Sequence, residues 1–354
     1  MNDRKTVEPI IFKNDHVHVI GMSHVGCVRE ENQDFLGHCS KEGWELLIVC
    51  DGMGGHSGGF EASRLAVRSI QIYFNEQFDS EQFGDPKPWM EEAIQYADSC
   101  IQETTIENPR LKGMGTTVVL LLTHGEQAWI AHVGDSRIYL LRRRELALLT
   151  VDHIAINRFV IRGELHPDET KNHRLSHILE RCVGATEGKL RVDVANEALS
   201  IQKGDRFILC SDGFHGLAED NNILEHFDAD YPLEMSVQRG IDFSLENGAD
   251  DNTTIGALEI LSTSYMVDES AIGDDSSDIF DDHDTTIPLD PDDIKRAFEM
   301  ASSETEEDQD DAFGDFDPFG DFEEDESIPL PKDARAKLLE AYNQSRKLAE
   351  KKTE

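Results

Sequence analysis

The sequence predicts an α+β domain of antiparallel sheets covered by helices, followed by an acidic tail with no core of its own. Three observations predict it. Strand-like runs follow one another as meanders while helical runs are grouped, the pattern of antiparallel rather than doubly wound sheets. Two apolar runs, Leu47-Ile48-Val49-Cys50 and Phe207-Ile208-Leu209-Cys210, each lead into an aspartate and a glycine, Asp51-Gly52 and, after Ser211, Asp212-Gly213. The composition then changes abruptly near Leu261: residues 264–330 hold 25 acidic and 2 basic residues, with few aliphatics. Such a segment cannot bury enough apolar surface to fold.

Taken in order, residues 1–15 read as an N-terminal extension and 16–261 as the folded domain. Val17–Met22 alternates as a strand, and Glu45–Cys50 reads as a buried one. Leu65, Ile70 and Phe74 fall near helical spacing within Glu61–Phe74, and Trp89–Ile106 gives a second helix. Gly115–Thr123, Gln127–Val133 and Arg137–Leu141 are strands, and Arg142-Arg143-Arg144-Glu145 turns a hairpin into Leu146–Thr150. Residues 153–182 are polar and read as helical or irregular. Arg206–Cys210 and Thr253–Ile260 are strands, with a helix at Leu233–Glu246 between them. Residues 262–330 form the disordered acidic linker. Residues 331–354 are basic, with Leu338, Tyr342, Ser345 and Leu348 at the spacing of a short helix.

The bulk chemistry excludes some partners. The chain carries 72 acidic against 33 basic residues, a formal charge of -39, which repels nucleic acid. Its six cysteines include no CxxC pair and read as reduced thiols of an intracellular protein. The N-terminus lacks the apolar core of a signal peptide, and no window approaches the ~20 apolar residues of a membrane helix. The expectation is a cytoplasmic monomer with no membrane contact.

The chemistry sits in short motifs: Gly26-Cys27-Val28-Arg29-Glu30-Glu31-Asn32-Gln33-Asp34, DGMGG at 51–55, GTT at 115–117, GDSR at 134–137, SDG at 211–213 and DDNTT at 250–254. A carboxylate at the mouth of a rigid strand is a good ligand for a hard cation. An Asp-Gly pair alone is ordinary turn chemistry. Together, in this order and spacing, the motifs resemble the metal-dependent protein serine/threonine phosphatases of type 2C, the PPM family, in their bacterial form. The resemblance covers residues 16–261 and nothing in the tail.

That resemblance implies a four-layer α-β-β-α sandwich with two central antiparallel sheets. It implies hydrolysis of phosphoserine and phosphothreonine in proteins by a metal-activated water at a binuclear Mg²⁺ or Mn²⁺ centre. Asp51 would bridge the two ions and the Gly52 carbonyl would complete one shell, with Asp212 and Asp251 binding the other ion. Asp34 would lie in the same cluster and hold metal-bound waters. Asp135, with Asp212, matches a third, weaker metal site. Arg29 would grip the substrate phosphate, since a guanidinium presents paired donors that match two phosphate oxygens. Two divalent ions neutralise the transferring group and supply a nucleophile at neutral pH.

Departures from the family pattern matter. Met53 stands where many eukaryotic relatives carry the histidine proposed as acid, so the expected acid is a metal-bound water. Gln33 stands where relatives often have glutamate. His56 is a weaker candidate for ligand or acid, and the histidines at 153, 166, 173 and 177 lack a zinc-ligand pattern and read as an exposed flap. No Gly-Lys-Ser/Thr follows the glycines of 52–59, which removes a nucleotide cradle. Met53 and Phe214 lie two residues after Asp51 and Asp212, where an aspartyl-phosphate enzyme would place a second aspartate.

The competing function is a phosphatase-like binding module whose acidic tail recruits a signalling partner. The retained carboxylates favour an enzyme acting on phosphoproteins, among them a Ser/Thr kinase or its targets. In the tail, Phe313, Phe316, Phe319 and Phe322 recur every three residues between acids as apolar anchors. Thr285 and Thr286, amid acids, resemble a phosphorylation site for a phosphopeptide-binding partner.

Overall fold

Antiparallel pairing of the apolar runs builds two sheets whose inner faces meet. The computed structural model describes residues 4–263, apart from 79–84, 167–172, 174, 176–177 and 186–187 and from the side chains of 55–57, 158 and 161. The first half of the chain supplies β1 (Ile10–Lys13), β2 (Val17–His24), β3 (Asp34–Lys41), β4 (Trp44–Met53), α1 (Gly55–Gln77) and α2 (Pro86–Glu107). Next come β5 (Gly115–Thr116), β6 (Val118–His124), β7 (Gln127–Val133), β8 (Arg137–Arg142), β9 (Glu145–Leu148) and α3 (Asn157–Ile161). The remainder supplies β10 (Asp193–Val194), β11 (Leu199–Ser200), β12 (Arg206–Cys210), α4 (Asp212–His215), α5 (Asp220–His226), α6 (Leu233–Glu246) and β13 (Thr253–Ile260). One sheet has the order β1-β2-β13-β12-β8-β9; the other is β10-β7-β6-β4-β3, with β11 also on β7 and β5 on the end of β4.

Strand periodicity assigns the layers. Successive side chains point to opposite faces, so Leu47 and Val49 of β4 enter the core between the sheets with Val119, Leu121, Phe207, Leu209 and Leu258. Ile208, Cys210, Ile255 and Ala257 point the other way, onto Phe214, Ile223, Phe227, Val237 and Ile241 of the α4–α6 layer. On the opposite side, α1 packs on β3 and β4 and against α2. The result is the α-β-β-α sandwich. With helices outside both sheets, both faces of the central strands are buried, which is why β4 and β12 read as unbroken apolar runs rather than as alternation.

Four strands lie where the sequence reading has none, the two-residue β10 and β11 and the longer β1 and β3. Residues 10–13, ahead of the expected domain start, pair with β2 as an edge strand, and Ile10 and Phe12 pack on the inter-sheet core. Asp34–Lys41 is β3, paired residue by residue with β4. Its pattern is broken by Gly37, where a Cβ would overlap Val67 of α1; the close helix–sheet approach demands the glycine. The expected hairpin at Arg142–Glu145 forms, with Arg143 and Arg144 both at positive φ (52° and 66°), as a two-residue turn matching strand twist requires. Arg142, at the start of that turn, forks onto Asp205 at 2.8 and 2.6 Å.

Among the described residues no helix is long and apolar enough to cross a membrane. The expected tail segments 262–330 and 331–354, with Thr285, Thr286 and the four phenylalanines, lie outside the described residues beyond Thr263. Gly37→Val should destabilise the domain by about 1–3 kcal/mol through overpacking against Val67. A second change, Val67→Ala, should recover most of the lost melting temperature; no recovery would place the strain elsewhere.

Candidate metal centre

The ends of six strands bring the predicted aspartates to one place. Asp34 opens β3 directly opposite Asp51 near the end of β4. Asp212 follows β12, Asp251 precedes β13, and β12 and β13 pair with each other. Asp135 lies in the turn between β7 and β8. A cavity of about 370 Å³ is lined by Asp51, Gly52, Asp135, Asp212, Asp251 and Arg29, among others. Asp34 stands behind them, 1% exposed.

Backbone and side-chain hydrogen bonds hold each group. Asp51 N–H donates to Thr117 Oγ1 at 2.9 Å, while Asp51 O accepts from Thr117 N–H and Thr116 Oγ1, each at 2.8 Å. Gly52 donates to Gln33 O at 3.2 Å, and a Cβ at Gly52 would overlap Gly59 O and Gln33 O. No larger residue fits that turn. Ser211 Oγ donates to Asp34 Oδ2 at 2.7 Å and accepts Thr254 N–H at 3.0 Å, so one hydroxyl ties the two sheets together at the site.

Arg29 projects from the loop after β2, half-exposed, with Nη2 2.8 Å from Asp251 Oδ2. Asn252 fastens that loop. Its Oδ1 accepts Gln33 N–H at 2.8 Å, and its Nδ2 donates to Val25 O and Glu31 O at 2.9 and 3.0 Å. Gly26 turns the same loop at φ 80°, where a Cβ would overlap Asp251 O.

The electrostatics call for a cation. Burial, with the charges of Asp34 and Asp212 added, pushes Asp51 well above the usual carboxylate range. Burial and then Asp212 carry Asp135 up to about 8. Asp34 is raised to about 7 by burial and by Asp212 and Asp251, against the hydrogen bond from Ser211. Asp34 Oδ1 is buried with no hydrogen-bond partner, an acceptor left unsatisfied at a cost of about 1–3 kcal/mol. Divalent cations answer both the repulsion and the orphaned oxygen, and an all-oxygen donor set with few carboxylates suits Mg²⁺ or Mn²⁺. The residues therefore fit the implied metals.

All seven predicted site residues thus lie at one cavity or immediately behind it. The sequence reading missed the supports Thr117, Ser211 and Asn252, although all three lie inside the quoted motifs. Met53 lines the cavity, and the side chain of His56 lies outside the described residues. The expectation of an exposed histidine flap fails at His153, which is 3% exposed because its ring is hydrogen-bonded on both nitrogens, to Gly134 and Asp193. His166 is exposed and His173 partly so; His177 lies outside the described residues. His215, absent from the sequence reading, is held neutral by burial and by Arg137, which lower it to about 3, and its Nε2 donates to Asp135 O at 3.0 Å. A larger cavity of about 620 Å³, beside Arg144, Arg206 and Leu224, contains none of the predicted carboxylates. Chemistry rather than size marks the site.

Comparison with known proteins identifies the family of the chain. Residues 20–250 match the protein phosphatase 2C family. The serine/threonine protein phosphatase PstP of Mycobacterium tuberculosis is 32% identical over 240 residues, which is 68% of this chain and 44% of that protein. The chain therefore spans less than half that relative's length. Protein phosphatase PhpP of Streptococcus pneumoniae is 30% identical over 241 residues, covering 68% of this chain and 96% of the relative. The solved catalytic domain of PstP, in complex with 2 manganese ions, superposes with a TM-score of 0.59 at 29% identity, over 70% of this chain and 99% of that one. The chain belongs to the protein phosphatase 2C family.

A carboxylate with a raised native pKa stabilises the fold at low pH and loses that contribution as pH climbs from its unfolded value toward the native one. Metal-free protein should therefore lose stability between about pH 4 and pH 8 through Asp34 and Asp135, raised to about 7 and about 8. Asp34→Asn should flatten that decline in chemical-denaturation curves taken across the range. Parallel wild-type and variant curves would show that the cluster carries no such strain.

Proposed function

We propose that this chain hydrolyses phosphoserine and phosphothreonine esters of proteins, reversing Ser/Thr kinase signalling. The observation that carries the reading is the convergence of four aspartates and Arg29 on one 370 Å³ cavity, with Asp34 behind it, in a chain that matches the family over residues 20–250. The whole-chain activity, its substrates and its partners are part of this proposal.

Asp51, the Gly52 carbonyl, Asp212 and Asp251 would hold two divalent cations, with Asp34 alongside them and Asp135 joining Asp212 at a third site. The manganese in the related PstP structure supports Mn²⁺ or Mg²⁺ here. Bound there, divalent cations would supply positive charge against the anionic substrate and would lower the pKa of water toward neutral pH. Thr116 and Thr117 fix the direction of Asp51. Arg29, at the mouth and paired to Asp251 through a single nitrogen, keeps further N–H donors for two phosphate oxygens. Asn252 keeps that arginine's loop against the cluster. Gly52 and Gly54 let the cavity-lining turn pack directly on the backbone of Gly59, Gln33, Gly113 and Met114, where a Cβ would overlap.

Residues 16–261 with the edge strand at 10–13 are proposed as the catalytic unit, monomeric and cytoplasmic, and the acidic tail as a segment that engages phosphopeptide-binding or other signalling partners. The purified chain should turn over p-nitrophenyl phosphate and phosphothreonine peptides with Mn²⁺ or Mg²⁺ and stop in chelator. Asp51→Asn or Asp212→Asn should lower kcat by orders of magnitude. Arg29→Ala should raise KM, and Arg29→Lys should recover only part of it. Turnover unaffected by chelator would end the metal argument; an inactive, well-folded wild type with Mn²⁺ would favour the binding module. A chain ended at Leu261 should melt within a few degrees of full length and keep small-substrate turnover, while its pull-down partners change. Unfolding of that shorter chain would move the domain boundary.

A further inference from the structure

His153 lies between the turn that carries Asp135 and the short strand β10. Gly134 N–H donates to His153 Nδ1 at 3.0 Å, and the backbone N–H of His153 donates to Gly134 O at 2.9 Å. One residue therefore holds both polar groups of Gly134. The glycine does not fix itself: Gly134 sits at φ 99°, open to many conformations in a glycine. The next residues are held by His215 Nε2 on Asp135 O at 3.0 Å and by Thr117 on Ser136 at 2.7 Å. A nitrogen that accepts the Gly134 proton carries none itself, so the ring proton is on Nε2. It faces Asp193 Oδ2 at 3.2 Å, and Arg181 Nη1 holds the other oxygen of Asp193 at 3.1 Å. A relay thus runs from Arg181 through Asp193 and His153 to the Gly134 amide.

The same residue reaches the cavity wall. Glu180 N–H donates to His153 O at 2.8 Å and Ala155 N–H to Ile178 O at 2.9 Å, and Ile154 bridges Leu179, which lines the cavity. We propose that His153 is a positioning residue of the metal centre: by holding the Gly134 amide it sets where the Asp135 carboxylate is presented, and through its carbonyl and Nε2 it ties that turn to Glu180 and Asp193. This rests on reading Asp135 as a cation ligand. Partners one step removed from a ligand commonly shift metal affinity 10–100-fold.

A different reading of the same atoms is a metal site of its own. His132, His153 and Asp193 offer three ligand atoms within 4.8 Å of one another. A cation there would have to displace the His153–Asp193 hydrogen bond and approach a carboxylate already bound by the Arg181 guanidinium at 3.1 Å. The guanidinium already supplies the positive charge, so the cluster acts as a strut.

The test compares His153→Ala with His153→Asn in the full-length chain. Asparagine restores an acceptor oxygen near the place of Nδ1 but does not reach Asp193. Two readouts are taken: hydrogen exchange of the 133–136 amides in metal-free protein, and Mn²⁺ binding by titration calorimetry. With His153→Ala, the Gly134 amide should exchange at least about tenfold faster, and the weakest Mn²⁺ site should lose about tenfold in affinity. His153→Asn should return most of both. Asp193→Asn, which leaves Nδ1 in place, should give smaller changes in the same direction and serves as the milder variant if His153→Ala does not fold. Unchanged exchange and an unchanged isotherm in His153→Ala would overturn the proposal, as would an asparagine variant as impaired as alanine in both. Failure of Mn²⁺ to bind wild type, with Gly134 still protected, would instead bring down the cation reading of Asp135 on which the proposal stands.

Discussion

Asp34 and Asp51 face each other across one antiparallel pair, and Asp212, Asp251 and Asp135 arrive beside them from the other strand ends. Their mutual repulsion is the constraint on which the rest of the structure depends. Carboxylates free to move would spread apart or turn to water. Here the strand ladders decide where the backbone runs, and the Thr117 and Ser211 hydroxyls decide where the chain can yield. The strain is sustained by the apolar inner faces of two sheets, where Leu47, Val49, Leu121, Leu209 and Leu258 meet out of water. Each such side chain stabilises the fold by roughly 1.5–3 kcal/mol.

Elsewhere two buried acids face guanidinium groups: Asp152 meets Arg137 at 2.7 Å and Asp205 meets Arg142 at 2.6 Å. The pair that reaches the aspartate cluster, Arg29 with Asp251, sits at its half-exposed mouth. A structural ion-pair network would place its positive charges inside. Under the proposed function, a centre that takes exchangeable cations and a phosphorylated protein would keep them at the rim.

The central strands were legible because helices cover both sheets, so β4 and β12 had to be continuous apolar runs ending where the aspartates begin. The site was legible because its carboxylates lie at or within two residues of strand ends. What could not be read depends on distance in the sequence. β3 hides behind Gly37, which is explained only by Val67 on a helix thirty residues later. His153 looked like one of several polar flap histidines. Its partners, Gly134 in the β7–β8 turn and Asp193 on β10, are connected to it by no local period. Asn252 and Ser211 sat inside recognised motifs, yet their work, fastening loop 25–33 and bridging the sheets, is visible only in three dimensions.

The decisive question is whether divalent cations relieve the repulsion at this one point. Diffraction from crystals soaked in Mn²⁺, measured at the manganese absorption edge, tests this without reference to turnover. The account predicts at least two anomalous peaks within ligand distance of Asp51, one of them also beside Asp212 and Asp251. Fully exchanged crystals with no peak at these aspartates, from protein that is active with Mn²⁺ in solution, would contradict it.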